Sequence, residues 1–149
     1  MDKQQKLAVL AKLGRALNEA QVTWAIGASL MLYLNGKVDD FHDIDLTTTV
    51  EDAPRVTDIL LRLGTMLPTK SSAQFQTKCF AHFMVEGVDV DMLAGFAIVC
   101  DGVTHDCSLT KASITSFAEV DGERIPLQSM EEWKSYYRWM GRPEKAALI

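Results

Sequence analysis

Two acidic patterns and one small-residue turn hold the residues of this chain whose types and spacing could do chemistry. Asp43 and Asp45 alternate with Ile44 and Leu46 at the head of a β-branched run. Residues two apart on a strand point to the same face, so the two carboxylates share one side. Such a pair repels itself unless a cation sits between, and hard cations such as magnesium take oxygen ligands. Asp89 and Asp91 repeat the pattern among Val88, Val90 and Met92. Gly27-Ala28-Ser29 joins an apolar run to a helical one. The free N–H groups at such a helix start can receive a phosphate, and the Ser29 hydroxyl can add a hydrogen bond. Each feature also has a plain structural reading: a solvated strand end, the polar face of a hairpin, an ordinary helix start.

The elements that must position these residues follow from periodicity. Leu10, Leu13 and Leu17 predict an amphipathic helix over residues 3–19, and residues 22–26 a short buried strand ending at Gly27. Residues 28–34 read as a helix stopped by Asn35-Gly36, so Gly27 sits on a strand-to-helix turn. A strand is expected over residues 43–50, followed by a helix with Asp52 as N-cap and Val56, Ile59, Leu60 and Leu63 as its apolar stripe. Beyond a polar stretch the pattern turns to strands: 79–85 and 88–93 around the two-residue turn Glu86-Gly87, then 97–100, 113–120 and 124–126. Asp101-Gly102 and Asp121-Gly122 mark two further tight turns. Ser129-x-x-Glu132 opens an aromatic helix with Trp133, Tyr136 and Tyr137 that ends at Gly141. The fold class expected is α+β, a mixed and mostly antiparallel sheet flanked by helices, in a single domain over residues 1–149.

Composition removes several alternatives. Hydrophobic residues make up 48% of the 149, enough for a packed core, and no apolar run reaches the length of a membrane span. The formal net charge of −5 disfavours unspecific binding to duplex nucleic acid and would repel a bare triphosphate, a conflict that a divalent cation reconciles. Cys79, Cys100 and Cys107 form no CxxC or Cys/His zinc spacing and read as reduced thiols. With no signal-peptide core behind the polar residues 1–6, a cytoplasmic protein is expected. His82 and His105 read as structural or exposed, His42 as a loop residue beside the acidic motif, and the aromatic helix as packing.

Ile26-Gly27-Ala28-Ser29-Leu30 followed by His42-Asp43-Ile44-Asp45-Leu46 resembles the signature of the DNA polymerase β-type nucleotidyltransferase superfamily. The similarity is to its small bacterial minimal, aminoglycoside-type and abortive-infection-toxin-like branches. Val90-Asp91-Met92-Leu93 resembles the strand bearing that family's third carboxylate, with Asp89 as the alternative. Ile125-Pro126-Leu127, Ser129 and Gly141-Arg142-Pro143 resemble the segment after the sheet. Three departures stand out: Ala28 where a second glycine or serine is common, Tyr137 where a lysine is usual, and Lys145 where an acidic residue often follows the arginine.

The resemblance implies a magnesium-dependent transfer of a nucleoside monophosphate from a nucleoside triphosphate to a hydroxyl on a small molecule, protein or RNA. Asp43, Asp45 and Asp91 would be the catalytic and metal-binding residues. Gly27, Ala28, Ser29 and Arg142 would bind the nucleotide, with Arg138 a further candidate. Acceptor choice would fall to loops such as 70–78, and a homodimer could complete the cleft. The departures motivate an alternative: a catalytically inactive nucleotidyltransferase fold that binds nucleotide or a partner.

Overall fold

A computed structural model describes residues 2–69, 72 and 74–149; three residues of the expected acceptor loop, 70, 71 and 73, lie outside the described residues. Helix α1 (Lys3–Ala20) buries Leu10, Leu13 and Leu17 completely, as its spacing predicts. Strand β1 (Trp24–Gly27), helix α2 (Ala28–Leu34) and strand β2 (Ile44–Thr48) follow, then helix α3 (Ala53–Leu63) and strand β3 (Thr65–Leu67). Strands β4 (Cys79–Val85) and β5 (Val88–Ala94) form a hairpin through Glu86-Gly87. Strands β6 (Ala97–Cys100) and β7 (Val103–Asp106) form a second one, and β8 (Ser116–Val120) with β9 (Glu123–Leu127) a third. Helices α4 (Met130–Trp139) and α5 (Pro143–Ala146) close the chain.

Seven strands share one mixed sheet in the order β3-β4-β5-β2-β1-β9-β8, with β6 and β7 apart as a two-stranded ribbon. The pairings β2·β5 and β1·β9 are parallel and the others antiparallel, which bears out the α+β expectation. Parallel neighbours need long crossovers, and β2 meets β5 only after α3, β3 and β4 have intervened. The central strand β2 is covered on both faces. Ile44, Leu46 and Thr48 are buried on one and Thr47 on the other, and the Thr47 and Thr48 hydroxyls donate to the carbonyls of Ala25 and Thr23 at 3.2 and 2.7 Å. Thr57 of α3 reaches Met92 Sδ at 3.6 Å, so α3 covers the face of β5 opposite Asp91. Among the described residues no helix is long and apolar enough to cross a membrane.

Several expectations shift locally. Asp43 lies one residue before β2 rather than within it. Asp52 precedes α3 but gives its carboxylate to the Thr23 amide at 2.8 Å instead of capping the helix, tying the start of β1 to the start of α3. The strand expected over 113–120 starts at Ser116, because Lys111–Ser113 is a turn of 3-10 helix. Strands β3 and β7 go beyond what the apolar pattern indicated. The latter, Val-Thr-His-Asp, is held by His105 stacked on Trp139 with ring centroids 3.8 Å apart.

The strand-to-helix turn is built by two different constraints. Gly27 has extended backbone, and its lack of a side chain serves packing: an added Cβ would strike Gln128 Oε1 and lie 2.6 Å from the Trp133 ring. Gln128 and Trp133 are themselves joined by a hydrogen bond of 2.9 Å. Ala28, by contrast, adopts φ +55°, a left-handed conformation that penalises a residue with a Cβ. Gly27→Ala is therefore expected to lower stability by about 1–3 kcal/mol in urea unfolding, by forcing α4 away from β1. Ala28→Gly is expected to raise it by about 0.5–1 kcal/mol, since relief of the left-handed strain exceeds the added chain entropy.

Candidate active site

A cavity of about 790 Å³ opens on the side of the sheet that carries the aspartates, and Asp43, Asp45 and Asp91 all line it. Parallel pairing sets Asp45 of β2 directly beside Asp91 of β5, and antiparallel pairing sets Asp45 opposite Gly27 of β1. The Trp133 ring and Gln128 occupy the space that a side chain at Gly27 would fill. Ala28 and Ser29 from the start of α2 form another part of the wall, and Arg142 joins them from the turn before α5.

Electrostatics follow from that crowding. Asp45 is pushed up from 3.8 to about 7, by withdrawal from water first and then by the charges of Asp91 and Asp43. Asp43 is raised by the same desolvation and by Asp91 and Asp89, with His42 and His82 opposing. Tyr137, on the wall, is pushed up to about 12 by burial and by Asp45, against the pull of Arg142. The donor set is oxygen-only and anionic, which fits a hard divalent cation. As the side chains lie, however, no group of three acidic, histidine or cysteine side chains among the described residues stands at metal-holding spacing. The expected ligand trio thus shares a cavity but is not drawn together into a coordination cluster. Mutual repulsion opposes convergence, and Asp91 is engaged elsewhere.

That engagement involves a residue which sequence reasoning set aside. His82 Nδ1 lies 2.5 Å from Asp91 Oδ1, and its Nε2 lies 2.9 Å from Asp89 Oδ1. The imidazole thereby joins the two aspartates of β5, and its pKa is raised, chiefly by the hydrogen bond to Asp91 and against the effect of burial. The arrangement separates the two candidates for the third carboxylate: Asp91 faces the cavity, whereas Asp89 is not part of its lining. A signal for His82 existed. Counting back through the Glu86-Gly87 turn pairs residue 82 with residue 91, as observed.

The tail divides. Arg142 lines the cavity, with its guanidinium 5.9 Å from the Tyr137 ring centre and its Nε 3.7 Å from Glu144. Arg138 is exposed and is not among the lining residues, so the structure does not bring it to the site. Lys145, noted as a departure, does line the cavity, as does His42. Trp133 and Tyr137 have two roles: they are buried, at 4% and 2% exposure, and they also form cavity wall.

Comparison with known proteins places the chain in a family. The family model for aminoglycoside-2''-adenylyltransferase matches residues 9–147, nearly the whole chain. The chain belongs to the aminoglycoside-2''-adenylyltransferase family. Membership makes it a nucleotidyltransferase of the adenylyl-transferring kind. A Thermotoga maritima protein assigned as a nucleotidyltransferase superposes with a TM-score of 0.78 at 27% identity, covering 99% of this chain and 91% of the other. ANT(2'')-Ia in complex with adenylyl-2''-tobramycin gives 0.66 at 16% identity, over 97% and 87%. The lincosamide antibiotic adenylyltransferase LnuA, lincomycin-bound, gives 0.60 at 13%, over 99% and 97%. These last two establish likeness of fold. Among curated proteins no sequence relative is found.

For this adenylyltransferase-family chain, the raised Asp45 predicts how the metal-free protein responds to pH. The native state holds the proton that the unfolded chain releases near 3.8, so stability falls as pH rises from about 4 to about 7 and then levels. The cost is on the order of 4 kcal/mol, at about 1.4 kcal/mol for each pH unit of that interval. Asp43 and His82 are also raised and act in the same sense. Urea unfolding in a metal chelator should show this slope, and Asp45→Asn should remove most of it; an unchanged slope in the variant would contradict the assignment.

Proposed function

We propose that this protein is a magnesium-dependent adenylyltransferase that moves AMP from ATP to a hydroxyl of a small-molecule acceptor. The supporting observation is that Asp43, Asp45 and Asp91 line one cavity, two of them set side by side by the β2·β5 pairing, together with Ser29, Arg142 and Lys145. The family's name and the adenylylated or antibiotic-bound molecules named for ANT(2'')-Ia and LnuA support the choice of nucleotide and of acceptor type. We read residues 1–149 as one nucleotidyltransferase-like domain acting in the cytoplasm.

Asp43, Asp45 and Asp91 are the residues that would hold the metal. Bound magnesium would neutralise phosphate charge and stabilise the leaving oxygen. The α2 turn at Gly27, Ala28 and Ser29 offers backbone N–H groups and one hydroxyl to the phosphates, and Arg142 and Lys145 balance their remaining charge. Asp91 accepts the proton of the acceptor hydroxyl as its oxygen bonds to the α-phosphorus. The bond from that phosphorus to the bridging oxygen breaks, and pyrophosphate leaves with the electron pair. His82 holds one Asp91 oxygen, and Asp89 orients the imidazole.

Asp91→Asn is expected to lower kcat by about 10²–10⁴ with ATP binding retained, measured as pyrophosphate release with magnesium and an accepted substrate. His82→Gln is expected to lose about 10–100-fold, the range of a residue that orients a metal ligand. Turnover equal to wild type in Asp91→Asn would refute its role. Nucleotide binding without transfer in the wild-type protein would favour the inactive binding module.

A further inference from the structure

We infer that the Tyr137 hydroxyl binds the nucleotide, as an uncharged donor to a phosphate oxygen held beside Arg142. This rests on the adenylyl-transfer reading of the cavity, and it revises the expectation that the aromatic side chains of α4 serve packing alone.

The polar atom of a buried aromatic side chain normally finds a partner within the protein. Three in this chain do. Trp24 Nε1 donates to Asn18 at 3.0 Å, Trp133 Nε1 to Gln128 at 2.9 Å, and the Tyr136 hydroxyl to Glu132 at 2.8 Å. Tyr137 differs. It is as deeply buried as these, yet no group among the described residues takes or gives a hydrogen bond at its hydroxyl. That oxygen is not sealed in the core, because every fully enclosed side-chain oxygen and nitrogen among the described residues has a partner. Tyr137 lines the cavity, so the cavity is where the hydroxyl opens. A phenylalanine would pack equally well against the Trp133 ring, whose centre is 5.2 Å away, and would carry no idle donor.

Backbone geometry fixes what stands beside it. Gly141, at φ +75°, ends α4 in the left-handed turn that glycine adopts without strain. The chain folds back there, with the Gly141 amide donating to the Arg138 carbonyl at 3.1 Å and the Arg142 amide to the Tyr137 carbonyl at 2.8 Å. Arg142 is thereby tied to Tyr137, its guanidinium 5.9 Å from the ring centre. Burial, then the charge of Asp45, raise the phenol to about 12 against the pull of Arg142. The hydroxyl thus lies within the fields of both charges, bonds to neither, and keeps its proton throughout the neutral range.

The chemistry of the ligand follows from these neighbours. Trp133, one turn earlier on α4, packs into the space at Gly27, so this face of the helix lies against the turn that opens α2. Asp91 stands elsewhere, on the β4·β5 hairpin. A donor beside a guanidinium and near that turn suits an anionic phosphate oxygen, since hydrogen bonds to charged acceptors are the strong ones. The phenol adds such a bond without adding a charge.

Tyr137→Phe removes the hydroxyl and leaves the ring. Calorimetry on the full chain in magnesium buffer, with ATP and inorganic tripolyphosphate as probes, is expected to show both bound about tenfold or more weakly by the variant. Urea unfolding of the nucleotide-free variant is expected at the wild-type midpoint or above, because no protein hydrogen bond is lost. Wild-type affinity for ATP in the variant, or a loss that tripolyphosphate does not share, would overturn the inference and leave adenylyl transfer standing. So would a lowered urea midpoint, which would make the hydroxyl a structural group. Failure of the wild-type protein to bind ATP would end the parent reading, and this one with it.

Discussion

Repulsion among Asp43, Asp45 and Asp91 is the constraint on which the rest of the site depends. Asp45 and Asp91 are neighbours because β2 and β5 pair in parallel with those two residues in register, and Asp43 precedes Asp45 on the same side. Water normally dissipates such a concentration of like charge, but Asp45 is largely withdrawn from it, and its carboxyl is pushed up to about 7. Folding therefore works against these charges, and the surrounding structure must bear the cost. A strand buried on both faces, with Ile44 and Leu46 fully enclosed and the Thr47 and Thr48 hydroxyls satisfied, supplies the rigidity that holds them.

The same rigidity reaches the loop before β2. Lys6, almost wholly buried on α1, donates to the Phe41 carbonyl and pairs with Asp40 at 3.4 Å, and its ammonium lies 4.7 Å from the Phe41 ring centre. Lys3 donates to the Asp39 carbonyl at 2.7 Å. The first helix thus anchors the chain at the point where it turns into the acidic strand. On the other side of the site, Gly27 lets Trp133 and Gln128 come into contact with β1, so α4 can roof the cavity. Loss of a methyl group at one position and burial of an ammonium at another both serve the placement of three carboxylates.

His82 links two chemically alike side chains that the fold places differently. Asp89 and Asp91 are chemically alike and lie on the same face of the same strand, but one row of the hairpin lies within the cavity and the next does not. By bonding to both, the imidazole ties the outer aspartate to the inner one. Phe80, one row further along, then gives the cavity its apolar side.

Much of this could be read in the sequence because it depends on local rules. The helix starts and stops, the two-residue turn at Glu86-Gly87, and the shared face of residues two apart are set by backbone geometry within a few positions of each other. Gly27-Ala28-Ser29 before an Asp-x-Asp strand was legible for the same reason, and the turn alone would have paired His82 with Asp91. What only the tertiary structure decided involves residues far apart in sequence: the parallel registers that bring Asp45 to Asp91 and Ile26 to Leu127, the entry of Lys145 and the exclusion of Arg138, and the use of Asp52 on Thr23 rather than on its own helix. Local pattern determines which way a side chain points along its own element. Which element lies opposite depends on the joint packing of the whole core, and no window of sequence contains that information.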